Sequence, residues 1–138
     1  MWMILQQDKP QDYVIATGEN YSIREFIDMT FSNLGVKIKF TGQNEEEKGV
    51  IDAIDTDKLR ELGVEPGEIK EGDTVIEVDP SYYRPTEVDQ LIGNPAKAKK
   101  ELNWEPRHNI HDLVQEMTQS DLEIAKKEKV TKAYENKR

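Results

Sequence analysis

The segment Ser81-Tyr82-Tyr83-Arg84-Pro85-Thr86-Glu87-Val88-Asp89 gathers two aromatics, one arginine and two carboxylates around a proline. Arginine offers a planar fork of N–H donors that fits phosphate oxygens in pairs. A carboxylate such as that of Glu87 can accept from the adjacent N–H donors on guanine's Watson–Crick edge, by the donor–acceptor logic of base readout. The Tyr83 ring can stack on a base or flank a sugar. Pro85 pushes Arg84 into an extended conformation. Alternate side chains then share a face, Arg84 with Thr86 and Tyr83 with Glu87, unless the proline turns the chain. The plainer arrangement is an Arg84–Glu87 ion pair tying a loop down, and from chemistry alone that is the commoner use of such a pair.

Other reactive groups are sparse. His108 and His111 stand three apart at a predicted helix start with no convincing further ligands, so they read as surface histidines. Glu45-Glu46-Glu47 reads as a solvated acidic loop, not a shaped cation site. Lys97, Lys99 and Lys100 read as the exposed face of a short helix, not a phosphate patch. The glycines, at 18, 35, 42, 49, 63, 67, 72 and 93, have no spacing that makes a dinucleotide-binding turn or a P-loop. There is no cysteine, which excludes disulfides and thiolate chemistry and fits a cytoplasmic location.

The elements that must position Tyr83, Arg84 and Glu87 follow from local signals. Tyr13 to Thr17 is a β-branched run ending at Gly18 and is expected to be a buried strand. Ser22 and Glu25 form a capping box, followed by an apolar stripe of Ile23, Phe26, Ile27, Thr30, Phe31 and Leu34 that stops at Gly35. Val36 to Phe40 alternates as a strand. Residues 42–73 are polar and acidic and are expected to form a long, partly mobile surface insertion, with a helical turn at Lys58 to Leu62. Thr74 to Val78 reads as a strand that Asp79-Pro80 ends. Val88 to Ile92 is short and apolar at alternate sites. Asn94 and Pro95 start a helix to about Leu102, with Pro95 filling its first position. Asn109 caps a last helix whose stripe is Ile110, Leu113, Val114, Met117 and Ile124 or Ala125. A basic tail, 126–138, is expected to fray. Trp2 to Leu5 reads as the end of a helix. The fold class is therefore a small α+β unit of short strands and several helices, with its folded part over residues 1–125.

The chain has 138 residues and a net charge of −9. Residues 43–80 hold 13 acids and 4 bases, which alone gives −9, whereas residues 126–138 hold 6 bases and 2 acids. The acidic surplus disfavours nucleic acid as a partner. No apolar run has membrane-spanning length, and the apolar start is too short for a signal-peptide core.

Tyr83-Arg84-Pro85-Thr86-Glu87-Val88-Asp89, Leu91-Ile92-Gly93-Asn94-Pro95-Ala96-Lys97-Ala98 and Leu102-Asn103-Trp104-Glu105-Pro106 closely resemble the C-terminal region of GDP-mannose 4,6-dehydratases. So do Met1-Trp2-Met3, Leu5-Gln6-Gln7-Asp8-Lys9-Pro10, Asp12 to Gly18 and Ser22 to Phe26; the stretch around 50–72 and the tail depart from the pattern. The resemblance implies the substrate-binding subdomain of an extended short-chain dehydrogenase/reductase whose Rossmann domain, with NADP, is absent here. The implied reaction converts GDP-mannose to GDP-4-keto-6-deoxymannose, the first committed step toward GDP-fucose. Hydride leaves C4 for the cofactor, water is eliminated across C5 and C6, and the hydride returns to C6. It also implies that Arg84 meets phosphate or ribose, that Glu87 meets guanine, and that Tyr83 flanks the ligand. The acid–base groups of the family, a Tyr-x-x-x-Lys pair with a Thr and a Glu, belong to the N-terminal domain, and no tyrosine here has a lysine four residues on. The chain alone is thus expected to be inactive, to lack a cofactor site of its own, and to expose an apolar face toward a Rossmann domain or a full-length homologue, with self-association as a consequence. A stand-alone module that binds GDP-sugars or pairs with a full-length dehydratase is the alternative reading.

Overall fold

The computed structural model describes residues 1–65, 67–84, 86 and 90–135. Its elements are α1 (Trp2–Leu5), α2 (Ile23–Asn33), β1 (Val36–Thr41), β2 (Lys48–Ile54), α3 (Thr56–Glu61), β3 (Thr74–Glu77), α4 (Ala96–Leu102) and α5 (Ile110–Glu135). The strands form one antiparallel sheet in the order β1-β2-β3. This is the small α+β unit expected from the sequence.

Helix α2 begins where its cap directs. The Ser22 hydroxyl accepts from the Glu25 amide at 3.2 Å, and the Glu25 carboxylate accepts from the Ser22 amide at 2.7 Å. Ile27 and Phe31 on its inner side, and Leu34 at its C-cap, then pack against the buried cluster Val36, Ile38, Ile51 and Leu59. Helix α3 is capped by Asp55, whose carboxylate accepts from the amides of Asp57 and Lys58. The Lys58 ammonium donates to the Ser32 carbonyl at 2.8 Å, placing a cation at the C-terminal end of α2.

Five expectations are corrected. Residues 42–73 are not a mobile excursion: they supply β2, the middle strand, and α3. Ile51, only 2% exposed, and Leu59 lie at the centre of the core. The acidic composition misleads because nearly all of the acids lie outside β2, in the turns and on α3, while within β2 Asp52 is exposed and Gly49 and Ile51 face inward.

Residues 13–17 form no strand among the described residues, and Val14 and Ile15 are each 51% exposed. Their β-branched composition matches a strand, but strand identity needs a hydrogen-bonding neighbour, and they lie instead along the 93–101 arm. The Tyr13 hydroxyl donates to Glu101 at 3.1 Å, and Ala16 approaches Gly93 so closely that a Cβ there would sit 2.7 Å from Ala16 Cβ.

The last helix does not fray from residue 126 but continues to Glu135. Its residues are good helix formers, and Lys129 donates to Glu68 at 2.6 Å, tying it to the α3–β3 connection. Its buried ridge is narrower than expected, with Val114 and Thr118 inside and Leu113, Met117 and Ile124 half-exposed. Finally, Pro95 is the N-cap of α4 rather than its first helical residue, and Asn94 Oδ1 accepts from the Ala96 amide at 3.0 Å. Asn109 caps α5 as expected, accepting from the His111 and Asp112 amides.

Candidate nucleotide-binding segment

The segment carrying Tyr83 and Arg84 leaves the sheet at β3, and its starting point is fixed by pairing and by a turn. Lys48 on β2 faces Glu77 on β3, and their side chains meet at 2.8 Å. Asp79 then closes a turn. Its carboxylate accepts from the Ser81 hydroxyl at 2.7 Å and the Ser81 amide at 2.8 Å, and its carbonyl accepts from the Tyr82 amide at 3.0 Å. Those two bonds, the hydroxyl's first, hold the Asp79 carboxyl below its ordinary value.

Tyr83 is half-buried, and together with the β1–β2 connection at Gly42 to Glu46 it lines an open cleft of about 780 Å³. That connection contains a single 3₁₀ turn, Asn44–Glu46, entered through positive φ at Gly42 (81°) and Asn44 (54°). It is braced from behind by Arg24 on α2, which meets Glu47 at 2.6 Å and lies over the Phe40 ring. Glu47 is therefore an ion-pair partner and not part of a solvated acidic run. Arg84 and Thr86 are exposed, as is Tyr82. Glu87, with its expected role at guanine, and Val88 and Asp89 lie outside the described residues.

Sequence reasoning missed the neighbourhood of Tyr83 and residues 42–46, which lie 37 or more positions earlier in the chain. The only local signal was Gly42 followed by Asn44, two residue types that tolerate a left-handed backbone. It also read Lys97 as only part of an exposed helix face. The Lys97 ammonium donates to the Asp12 carbonyl at 3.0 Å and lies 4.7 Å from the centre of the Tyr13 ring, so it holds the N-terminal segment to α4. The His111 amide serves the Asn109 cap, and among the described residues no group of three or more His, Asp or Glu is placed to hold a metal.

The family model described as GDP-mannose 4,6 dehydratase matches residues 1–117, which include this whole segment, the sheet and the 93–107 arm. The chain belongs to the GDP-mannose 4,6-dehydratase family. Curated relatives agree. A GDP-mannose 4,6-dehydratase of Vibrio cholerae is 44% identical over 133 residues, covering 96% of this chain and 34% of the relative. One of Yersinia enterocolitica is 40% identical over 132 residues, again 96% and 34%. The human enzyme is 43% identical over 124 residues, 90% of this chain and 29% of the relative. The chain thus spans about a third of the length of the dehydratases it matches.

Among the described residues the only sheet is antiparallel, with no parallel strand–helix–strand unit to present a helix N-terminus to a pyrophosphate. No helix among the described residues is long and apolar enough to cross a membrane.

Proposed function

We propose that this chain supplies the nucleotide-binding side of a GDP-mannose 4,6-dehydratase and does not run the dehydration alone. Arg84 contacts the diphosphate or ribose, Glu87 accepts from the guanine edge, and Tyr83 flanks the ligand beside the 42–46 turn. The observation that carries this reading is the family match across residues 1–117, which contains the Tyr83-Arg84-Pro85-Thr86-Glu87 string. The geometry adds support: the turn braced by Arg24 and Glu47 gives Tyr83 a firm wall, and Arg84 stands exposed next to it. Acidic side chains at Glu45 and Glu46 disfavour a diphosphate over that wall, so the phosphates belong on the Arg84 side and the uncharged parts of the ligand on the Tyr83 side. Hydride transfer and proton transfer then fall to the short-chain dehydrogenase/reductase domain that carries NADP in such enzymes, with this chain holding the substrate in a cytoplasmic setting.

The test is a titration of this chain with GDP followed by amide NMR. Saturable shifts at Tyr83, Arg84 and residues 42–46, abolished by Arg84→Ala, are expected; even a millimolar complex, about −4 kcal/mol, is visible this way. A folded spectrum that GDP leaves unchanged rejects an autonomous nucleotide site.

A further inference from the structure

Helix α5 has two apolar faces, and α2 covers one of them. The buried ridge, Val114 and Thr118, is directed at α2. A second stripe lies roughly a quarter of a turn round the helix by its period. It consists of Leu113, Met117 and Ile124, which are 46%, 44% and 51% exposed. Ser120 falls between Met117 and Ile124, and Lys127 and Thr131 continue the line, so that the steps alternate between three and four residues. That is the spacing of a coiled-coil seam.

Charge along α5 is divided. From Ile110 to Ala125 it carries four acids, Asp112, Glu116, Asp121 and Glu123, and no lysine or arginine. From Lys126 to Glu135 it carries four lysines against two acids. Within the chain, Glu123 meets Lys126 at 3.2 Å and Glu68 meets Lys129 at 2.6 Å. Two such helices laid parallel set acids against acids and lysines against lysines. Laid antiparallel, each acidic half runs along the basic half of the other.

The seam favours the same orientation. With Ile124 opposite the partner's Ser120, Met117 meets the aliphatic stem of the partner's Lys127 and Leu113 meets the partner's Thr131. Each bulky apolar side chain then faces a small or a flexible one. In this register Glu116 flanks the partner's Lys127.

We propose that α5 pairs antiparallel with α5 of a second copy of this chain, through Leu113, Met117, Ser120 and Ile124. The occupant is a copy because the helix is complementary to itself. One stripe supplies both the large and the small positions, and one helix supplies both signs of charge, as a two-fold interface requires. The pairing is independent of the nucleotide reading at Arg84.

The chain contains no cysteine, so introduced thiols report the pairing without background. Leu113→Cys and Thr131→Cys, both at exposed positions, are made as two separate full chains, mixed and oxidised. Disulfide-linked dimers that join one variant to the other are expected, several-fold above the yield from either variant alone. Sedimentation equilibrium of the unmodified chain is expected to show a dimer. Ile124→Glu, with an unchanged circular dichroism spectrum, is expected to raise its dissociation constant at least several-fold. Disulfides formed by Leu113→Cys with itself in place of the mixed product show parallel pairing and overturn the proposal. A chain that is monomeric throughout overturns it too, as does a dimer that Ile124→Glu leaves unweakened, which forms through another face.

Discussion

A Cβ on Gly42 would collide with the backbone carbonyl of Glu46, across the turn that faces Tyr83. Gly42 also has φ of 81°, where any other residue is strained. Gly42→Ala is therefore expected to cost about 1–3 kcal/mol of stability, with the amides of residues 43–47 and Tyr83 shifting most. Urea unfolding followed by circular dichroism measures it, and an unchanged midpoint would show that the turn rearranges freely.

In an active enzyme reconstituted with this chain, Arg84→Ala is expected to weaken GDP-mannose binding by about 1.5–3 kcal/mol, the range for a charged hydrogen bond. Glu87→Gln is expected to narrow the preference for GDP over ADP, because an amide presents a donor where guanine needs a second acceptor. Calorimetric titration of both nucleotides reads each effect. Wild-type affinities and selectivity in both variants, with folding intact, contradict the assigned roles.

The Asp79 turn predicts a pH response. The Asp79 carboxyl is held below its ordinary value of 3.8 by the Ser81 hydroxyl and then the Ser81 amide, so the folded state favours the ionised form. A depressed carboxylate stabilises the fold fully above its unfolded pKa, and that contribution is lost as pH falls through the lower folded value. Glu25, bonded first by the Ser22 amide and then by its hydroxyl, has the same sign. The Ser81 and Tyr82 amides should titrate with a midpoint below that of a free aspartate, and Asp79→Asn should remove the transition. A midpoint at or above the ordinary value would contradict the turn as drawn.

Ile51→Ala tests whether the acidic stretch is structural. Ile51 is almost fully buried in the core with Val36, Ile38 and Leu59. The expected loss is about 2–5 kcal/mol, enough to unfold a marginally stable domain. A cost of a few tenths would return residues 42–73 to the status of a loose insertion.

What the sequence discloses depends on how local each device is. The capping box at Ser22–Glu25 and the Asn109 cap involve residues within three positions, and both were legible in advance, whereas the return bond from the Asn109 amide to Asp112 was not. β2 was not, because Gly49 and Ile51 are the only residues it buries fully and Asp52 and the surrounding acids dominate the composition. The position of β2 is set by pairing on both sides, with Gly49 admitted against Ile76 because it has no side chain. The helix beyond Lys126 was missed for the opposite reason: it has no apolar stripe, and propensity and the Lys129–Glu68 bond carry it. In the candidate site, Tyr83 and Arg84 stood out by residue type, but the wall beside Tyr83 comes from residues 42–46 and is a product of tertiary folding.

The sheet joins each strand only to its neighbour in sequence, whereas α5 returns from the far end of the chain to reach α2. Closing short loops is entropically cheap, and long-range docking is slower to form. The meander should therefore assemble first, and α5, seated on the narrow ridge of Val114 and Thr118, should be the first element to detach. Amide hydrogen exchange would register this as earlier deuteration along α5 than at Ile38 and Ile51, and uniform exchange across both would show instead a single cooperative unit.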